Sequence, residues 1–332
     1  MKYYLNNCYS QMQACSGGQA SLECPEHLYL DITNDCNLYC QMCRDKVEMT
    51  EKTMPYDLFC KLLDETAPFV KIYSLFNSGE PLLVKDFCQR VDDIKARSDA
   101  RIEISTNGML LTDDMISFLR SRKVGVCVSF DGARKKTFEA IRRGASFERV
   151  CDNLRKLSEA YADVAIQDTP SIYVTLQRDN AAELLEIAKL AHSLGIHKMG
   201  FGFVNLPSEY APDMDAALRE VIEKTASYLN DQNMLNSLYP ARVGDYLWQG
   251  SKYIHMDNFI LDSRCTAPLV SAMVRYNGDV YLCCNAGEYV DNVKDKSFLQ
   301  VWQSKTFNDL RSQVNSIDDM PQRCRQCWWV NR

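Results

Sequence analysis

The chain has 332 residues, 46% of them apolar and 25% charged, with a formal net charge of −6. This suits one large α/β barrel with a small appended module, or two ordinary globular domains. The acidic balance gives no electrostatic footing for nucleic acid or an anionic membrane, and no run of about 18 apolar residues is present to span a bilayer.

Residues 1–7 lack an apolar h-region, so no secretory leader and a cytoplasmic location are expected. The 15 cysteines are unevenly spread: three fall at 36–43 and five between 265 and 327. In a long chain without a leader, such clustering points to metal binding rather than a disulfide framework. Residues 1–26 are irregular and polar, and the widely spaced Cys8, Cys15 and Cys24 there read as loop or edge-of-core thiols, with a third metal site as the alternative.

From Leu28 onward, strand-like and helix-like patterns alternate. Short runs rich in β-branched and aromatic residues end near Ile32, Phe76, Thr106, Phe130, Gln177 and Val204. Helical patterns lie between them. The clearest places Leu184, Ile187, Ala188, Ala191 and Leu194 on one face, closed by Gly195. Another starts at Thr112, a capping residue followed by Asp113 and Asp114. Six βα units in series predict a parallel sheet curled into a partial (β/α)6 TIM-like barrel over residues 27–232, with function gathered at the strand ends.

The first strand runs into Cys36, Cys40 and Cys43, a Cys-x3-Cys-x2-Cys spacing. Three thiolates can hold three irons of a 4Fe–4S cube and leave the fourth open for chemistry; half a zinc site, or three core cysteines, are the alternatives. Later strands end in Ser78-Gly79-Glu80-Pro81, Ser105-Thr106-Asn107-Gly108, Ser129-Phe130-Asp131-Gly132 and Gln177-Arg178-Asp179-Asn180. Each also reads as an ordinary turn, and Asn180 with Glu183 reads as a capping box. Arg142 and Arg143 read as a solvated basic face.

Taken in order, these motifs resemble the radical S-adenosylmethionine (AdoMet) superfamily. Two departures are visible: Met42 stands where an aromatic residue is usual, and Ser78 replaces the first glycine of a Gly-Gly-Glu motif. The resemblance implies that Cys36, Cys40 and Cys43 hold a 4Fe–4S cluster whose open iron binds AdoMet. It further implies that Met42, Ser78, Gly79, Glu80, Ser105, Asn107, Ser129 and Gln177 contact AdoMet, with Arg142 a weaker candidate. Reductive cleavage then gives a 5′-deoxyadenosyl radical that abstracts a carbon-bound hydrogen. The electron comes from an external donor such as flavodoxin or ferredoxin.

Residues 233–264 read as a linker. In residues 265–332, Asn277-Gly278 between alternating runs predicts a β-hairpin, and a helical segment follows near 299–310. Cys265, Cys283, Cys324 and Cys327 can saturate a metal site; Cys284, on the opposite strand face from Cys283, is left as a spare thiol. A four-cysteine zinc knuckle is the alternative. This region resembles the SPASM/Twitch auxiliary-cluster domain, implying an auxiliary 4Fe–4S cluster that accepts an electron from a substrate radical. The leading expectation is a radical AdoMet oxidoreductase that dehydrogenates a small polar metabolite such as an aminocyclitol or sugar alcohol. The alternatives are a peptide maturase (thioether or carbon–carbon crosslink, or epimerisation) and a zinc-stabilised binding protein. No catalytic acid, base or hydrogen donor is assigned, although Cys127, Cys151 and Cys284 are thiols that epimerisation could use.

Overall fold

The computed structural model describes residues 22–43, 52–204, 208–213, 215–236, 246–249, 252–255, 265, 267–284, 288–314, 316 and 318–325. Cys8, Cys15 and Cys327 lie outside the described residues. Two compact units are present, and they do not follow chain order.

The first unit comprises residues 1–35, 50–103 and 263–331. It contains β1 (His27–Asp31), β2 (Ile72–Ser74) and the first half of β3 (Arg101–Thr106), which pair in parallel. Leu28, Leu30, Tyr73 and Ile102 are buried, as alternation along a strand with one face on the core requires. Helices α1 (Tyr56–Thr66) and α2 (Phe87–Arg97) connect these strands. The C-terminal segment belongs to the same unit, and its strand β10 (Ser271–Arg275) pairs in parallel with β1. β10 turns at Asn277-Gly278, with Gly278 at φ +85°, into antiparallel β11 (Asp279–Tyr281), which pairs with β12 (Tyr289–Asn292). The expected hairpin is present.

After β12 come two helices, α8 (Phe298–Trp302) and α9 (Lys305–Val314), where the sequence had suggested one, and single helical turns lie at Ala267–Val270 and Gln322–Arg325. Helix α1 ties them down. Glu65 Oε2 accepts from Ser297 Oγ and the Phe298 N–H, both at 2.7 Å, placing a carboxylate at the α8 N-terminus. Lys61 Nζ donates to the Val293, Lys294 and Lys296 carbonyls. Arg311 lies 3.9 Å over the buried Trp302 ring, a stacked cation–π contact.

The second unit comprises residues 36–49 and 104–262. It contains the second half of β3, then β4 (Gly125–Ser129), β5 (Ser171–Leu176), β6 (Lys198–Phe203) and the short β7 (Leu235–Asn236), neighbours in that order. The β4–β5, β5–β6 and β6–β7 pairs are parallel. Helices α3 (Asp113–Ser121), α4 (Lys135–Ile141), α5 (Phe147–Ala160), α6 (Leu184–Ser193) and α7 (Ala216–Asp231) cover the buried face. Thr112 Oγ1 accepts from the Met115 N–H, the expected cap, and Gly195 closes α6 at φ +80°. Strands β8 (Tyr246–Gln249) and β9 (Lys252–His255) form a separate antiparallel pair.

The observed strands end at Asp31, Ser74, Thr106, Ser129, Leu176 and Phe203, each within two residues of its expected end. This is the α/β architecture of parallel strands with an antiparallel C-terminal element that the pattern predicted.

Candidate active site

In the first unit, the site is built around the turn after β2. The chain leaving β1 is strapped to residues 52–54: the Asn34 N–H donates to the Lys52 carbonyl, the Lys52 N–H to Asn34 Oδ1, and the Met54 N–H to the Ile32 carbonyl. This fixes the Asp35 carbonyl, which accepts from the Glu80 N–H at 2.7 Å. Gly79 passes so close that a Cβ would stand 2.4 Å from Asp35 O and 2.5 Å from Thr33 O, so only glycine fits. Glu80 is buried and accepts from the Leu82 N–H through Oε1. Ser78 is anchored by fully buried Asp31, which accepts from its N–H and hydroxyl. Arg275 of β10 also donates to the Ser78 hydroxyl, at 3.1 Å.

In the second unit, the cysteine loop rests on a backbone shelf. The Tyr39 N–H donates to the Arg143 carbonyl at 2.8 Å and the Gln41 N–H to the Ile141 carbonyl at 2.9 Å, so Cys40 lies opposite Arg142. Gly144, at φ +94°, lets the shelf approach Leu38. Leu38, Cys40, Met42, Ile141 and Val204 form one buried cluster, with Cys36 and Cys43 packed against it. Met42 fills the place of the usual aromatic with a soft, adaptable side chain.

Two nitrogen donors face the thiols. Asn107 Nδ2 lies 4.0 Å from Cys36 Sγ and donates to Asn37 Oδ1 at 2.7 Å. Arg142 Nη1 lies 3.8 Å from Cys40 Sγ. The solvated-face reading of Arg142 is therefore corrected. Its side chain is only 11% exposed and is ion-paired at 2.6 Å with Asp131, which is fully buried. Burial works to lower the Arg142 pKa, but Asp131, Cys40 and Cys43 together hold it above the ordinary arginine value.

Gln177 is also fully buried. Its Oε1 accepts from Gln41 Nε2 at 2.9 Å, while its own Nε2 has no partner among the described residues. A buried amide donor without a protein partner at a strand end fits a contact to a ligand. Ser105 and Ser129 lie on the partly exposed faces of β3 and β4, opposite buried Ile104 and Val128, and Cys127 shares the Ser129 face. Cys151, by contrast, is a core thiol of α5 whose pKa burial raises to about 11. The capping-box reading of Asn180 is also corrected. Asn180 is buried; its Oδ1 accepts from the Gln177 N–H, and its Nδ2 donates to the Asp131 and Thr175 carbonyls.

Among the C-terminal thiols, Cys283 and Cys324 are buried, and Cys265 and Cys284 are half-buried. None of the twelve described cysteines forms a disulfide. Among the described residues no three His, Cys, Asp or Glu side chains close on a single metal ion; a cube, which spaces its thiolates around several irons, makes no such demand. Three thiols on an apolar shelf, met by two N–H donors, are a donor set that fits an iron–sulfur cluster.

Gln41 in the second unit and Arg275 in the first make contacts that the sequence did not single out, and the sequence named Arg142 as a weaker candidate and Asp131 within a turn motif without disclosing their pairing. Asp131 and Arg142 are eleven residues apart across a helix, with no local signature of pairing.

Residues 30–191 match the radical SAM superfamily and residues 265–328 match the SPASM iron–sulfur cluster-binding domain. The chain belongs to the radical SAM superfamily and is an enzyme with a C-terminal SPASM domain, which implies AdoMet and 4Fe–4S clusters as cofactors. It is 28% identical over 315 residues to the tungsten-containing aldehyde ferredoxin oxidoreductase cofactor-modifying protein of Pyrococcus furiosus, covering 86% of this chain and 83% of the relative. It is 29% identical over 311 residues to the mycofactocin maturase MftC of Mycolicibacterium smegmatis, covering 88% and 74%. Its fold is similar to that of Streptococcus suis SuiB bound to S-adenosylmethionine, with a TM-score of 0.67 at 16% identity over 93% of this chain and 72% of SuiB.

Proposed function

We propose that this chain is a radical AdoMet maturase acting on a peptide. The observation that carries this reading is the likeness to the maturase MftC, which spans 88% of this chain. It moves the reading from a small polar metabolite towards peptide modification. SuiB, whose fold this chain shares, has been solved with its precursor peptide SuiA.

In this reading residues 27–232 form the AdoMet module, where Cys36, Cys40 and Cys43 hold a cluster with one open iron. When bound, that cluster supplies the electron that cleaves AdoMet. Ser78, Gly79 and Glu80 receive the methionine amino end, with the Glu80 carboxylate as counter-charge. Ser105, Asn107, Ser129 and Gln177 contact the remainder, and Gln177 brings an Nε2 that has no partner among the described residues. Met42 packs beside the adenine. Cys265, Cys283, Cys324 and Cys327, in residues 265–332, hold the auxiliary cluster. The substrate is oxidised at the carbon that loses hydrogen, and a flavodoxin or ferredoxin delivers the electron.

Anaerobically purified protein is expected to hold about eight irons, and Cys36→Ala, Cys40→Ala and Cys43→Ala each to abolish AdoMet cleavage. Cys324→Ala is expected to spare uncoupled cleavage. To test the substrate class, the enzyme is given AdoMet and either the peptide or the small-molecule fraction of deuterated cells. Deuterium is expected in 5′-deoxyadenosine from the peptide fraction only, and protease treatment of that fraction should remove it. Transfer from the small-molecule fraction alone would overturn the peptide reading.

A further inference from the structure

The cysteine loop is held by more than its backbone. The rungs from Tyr39 to Arg143 and from Gln41 to Ile141 flank Cys40 and set it against Arg142. The Arg142 backbone is held too, since its N–H donates to the Phe138 carbonyl at 2.7 Å. Its guanidinium is used on two sides. Nε and Nη2 meet Asp131 Oδ2, each at 2.6 Å, and Nη1 points at Cys40 Sγ, 3.8 Å away.

Asp131 has no freedom to turn aside. Its Oδ1 accepts from the Thr175 N–H of β5 at 2.7 Å, and its carbonyl accepts from Asn180 Nδ2. A buried cation without a counter-charge is strongly unfavourable; Arg142 stays protonated in either case, and Asp131 offsets the cost of burying it and fixes where it points. The result is a fixed line of contacts: β5 backbone, carboxylate, guanidinium, thiol.

We propose that Arg142, held by Asp131, sets the reduction potential of the AdoMet-binding cluster by donating to the Cys40 thiolate. This rests on the reading that Cys36, Cys40 and Cys43 hold that cluster. Reduction adds one electron, and therefore one negative charge, to the cluster and its thiolates. A cation at a ligand sulfur favours the reduced state, and hydrogen bonds to sulfur act in the same direction. Asp131 opposes this from farther away, so the two residues bias the potential with opposite signs. Arg142 is thus a positioning and tuning residue, distinct from groups that touch AdoMet.

The test is a potentiometric titration of the holoenzyme, following the reduced-cluster EPR signal that changes when AdoMet is added, which separates it from the auxiliary cluster. Arg142→Met should shift the midpoint negative, lowering the ratio of reduced to oxidised cluster at fixed poise about tenfold, or about 59 mV for one electron. Arg142→Lys should recover part of the shift. Asp131→Asn should move the midpoint the other way, because it leaves the cation uncompensated. If the buried methionine beside an unpaired carboxylate prevents folding, the double variant D131N/R142M removes both charges and should still titrate more negative than wild type.

Unchanged midpoints in iron-replete variants would overturn the proposal. So would shifts of the same sign for Arg142→Met and Asp131→Asn, which would indicate loosened structure. Cys40→Ala distinguishes failure of the underlying reading: it should lose the AdoMet-responsive signal, and its retention would show that Cys40 does not serve that cluster.

Discussion

Ser78 is bound twice by one carboxylate: its N–H lies 2.9 Å from Asp31 Oδ1 and its hydroxyl 2.5 Å from Asp31 Oδ2. The serine that departs from the family's glycine thus has a structural use. Arg275 donates to the same hydroxyl, so the turn after β2 is gripped from β1 and from β10.

Ser78→Gly should keep the N–H contact and lose the hydroxyl contacts, lowering stability by about 1 kcal/mol. Asp31→Ala should lower it by about 3 kcal/mol, because it removes the buried carboxylate that both Ser78 donors and Arg275 share. Urea midpoints check both. A double-mutant cycle of Ser78→Ala with Arg275→Met should show a coupling of at least about 0.5 kcal/mol.

Gly79→Ala tests the close passage beside the strapped loop. The added methyl would overlap two backbone oxygens at 2.4 and 2.5 Å, neither the free end of a side chain. The turn must shift, destabilising the protein by about 1–3 kcal/mol. AdoMet affinity measured by equilibrium dialysis should fall at least tenfold, since Glu80 moves with the turn.

His27 gives a pH dependence. It shares a 2.8 Å hydrogen bond with Ser74 Oγ, and burial lowers its pKa from 6.5 to about 4. The unfolded chain therefore takes up a proton in that window while the folded one does not. Stability attributable to His27 is complete above about pH 6.5 and is lost as pH falls towards 4, by about 3 kcal/mol. Urea midpoints across this window should fall less steeply in His27→Gln than in wild type; identical slopes would contradict the assignment.

Asn180 separates a helix cap from a core bridge. A cap tolerates aspartate. Here Nδ2 donates to two carbonyls at 3.0 Å, and aspartate would set an anion against both. Asn180→Asp should therefore destabilise at least as much as Asn180→Ala, by about 2 kcal/mol or more. Recovery of wild-type stability by aspartate would restore the capping reading.

What the sequence disclosed was what is encoded locally. Strand ends followed from short apolar runs, the start of α3 from Thr112, and the hairpin from Asn277-Gly278. The order of motifs at strand ends identified the superfamily. What stayed hidden depended on partners far along the chain. Arg142 looked solvated because nothing near it in sequence announces Asp131 as a buried counter-charge. Asn180 and Glu183 had the spacing of a capping box, yet burial turned Asn180 towards β4 and β5, and Glu183 took the Ala133 N–H instead. The 299–310 helix divides at Gln303 and Ser304, where no proline or glycine marks a break.

The pairing of β1 with β10 has a consequence for biogenesis. Asp31 and its register partner Arg275 are 244 residues apart, so at about 5–20 residues per second the first strand waits roughly 10–50 s on the ribosome for its neighbour. During that interval one border of the nascent sheet has no native mate. Chains cut short before residue 271 never supply one, and they should go to inclusion bodies or to chaperones rather than yield a working core lacking only an accessory.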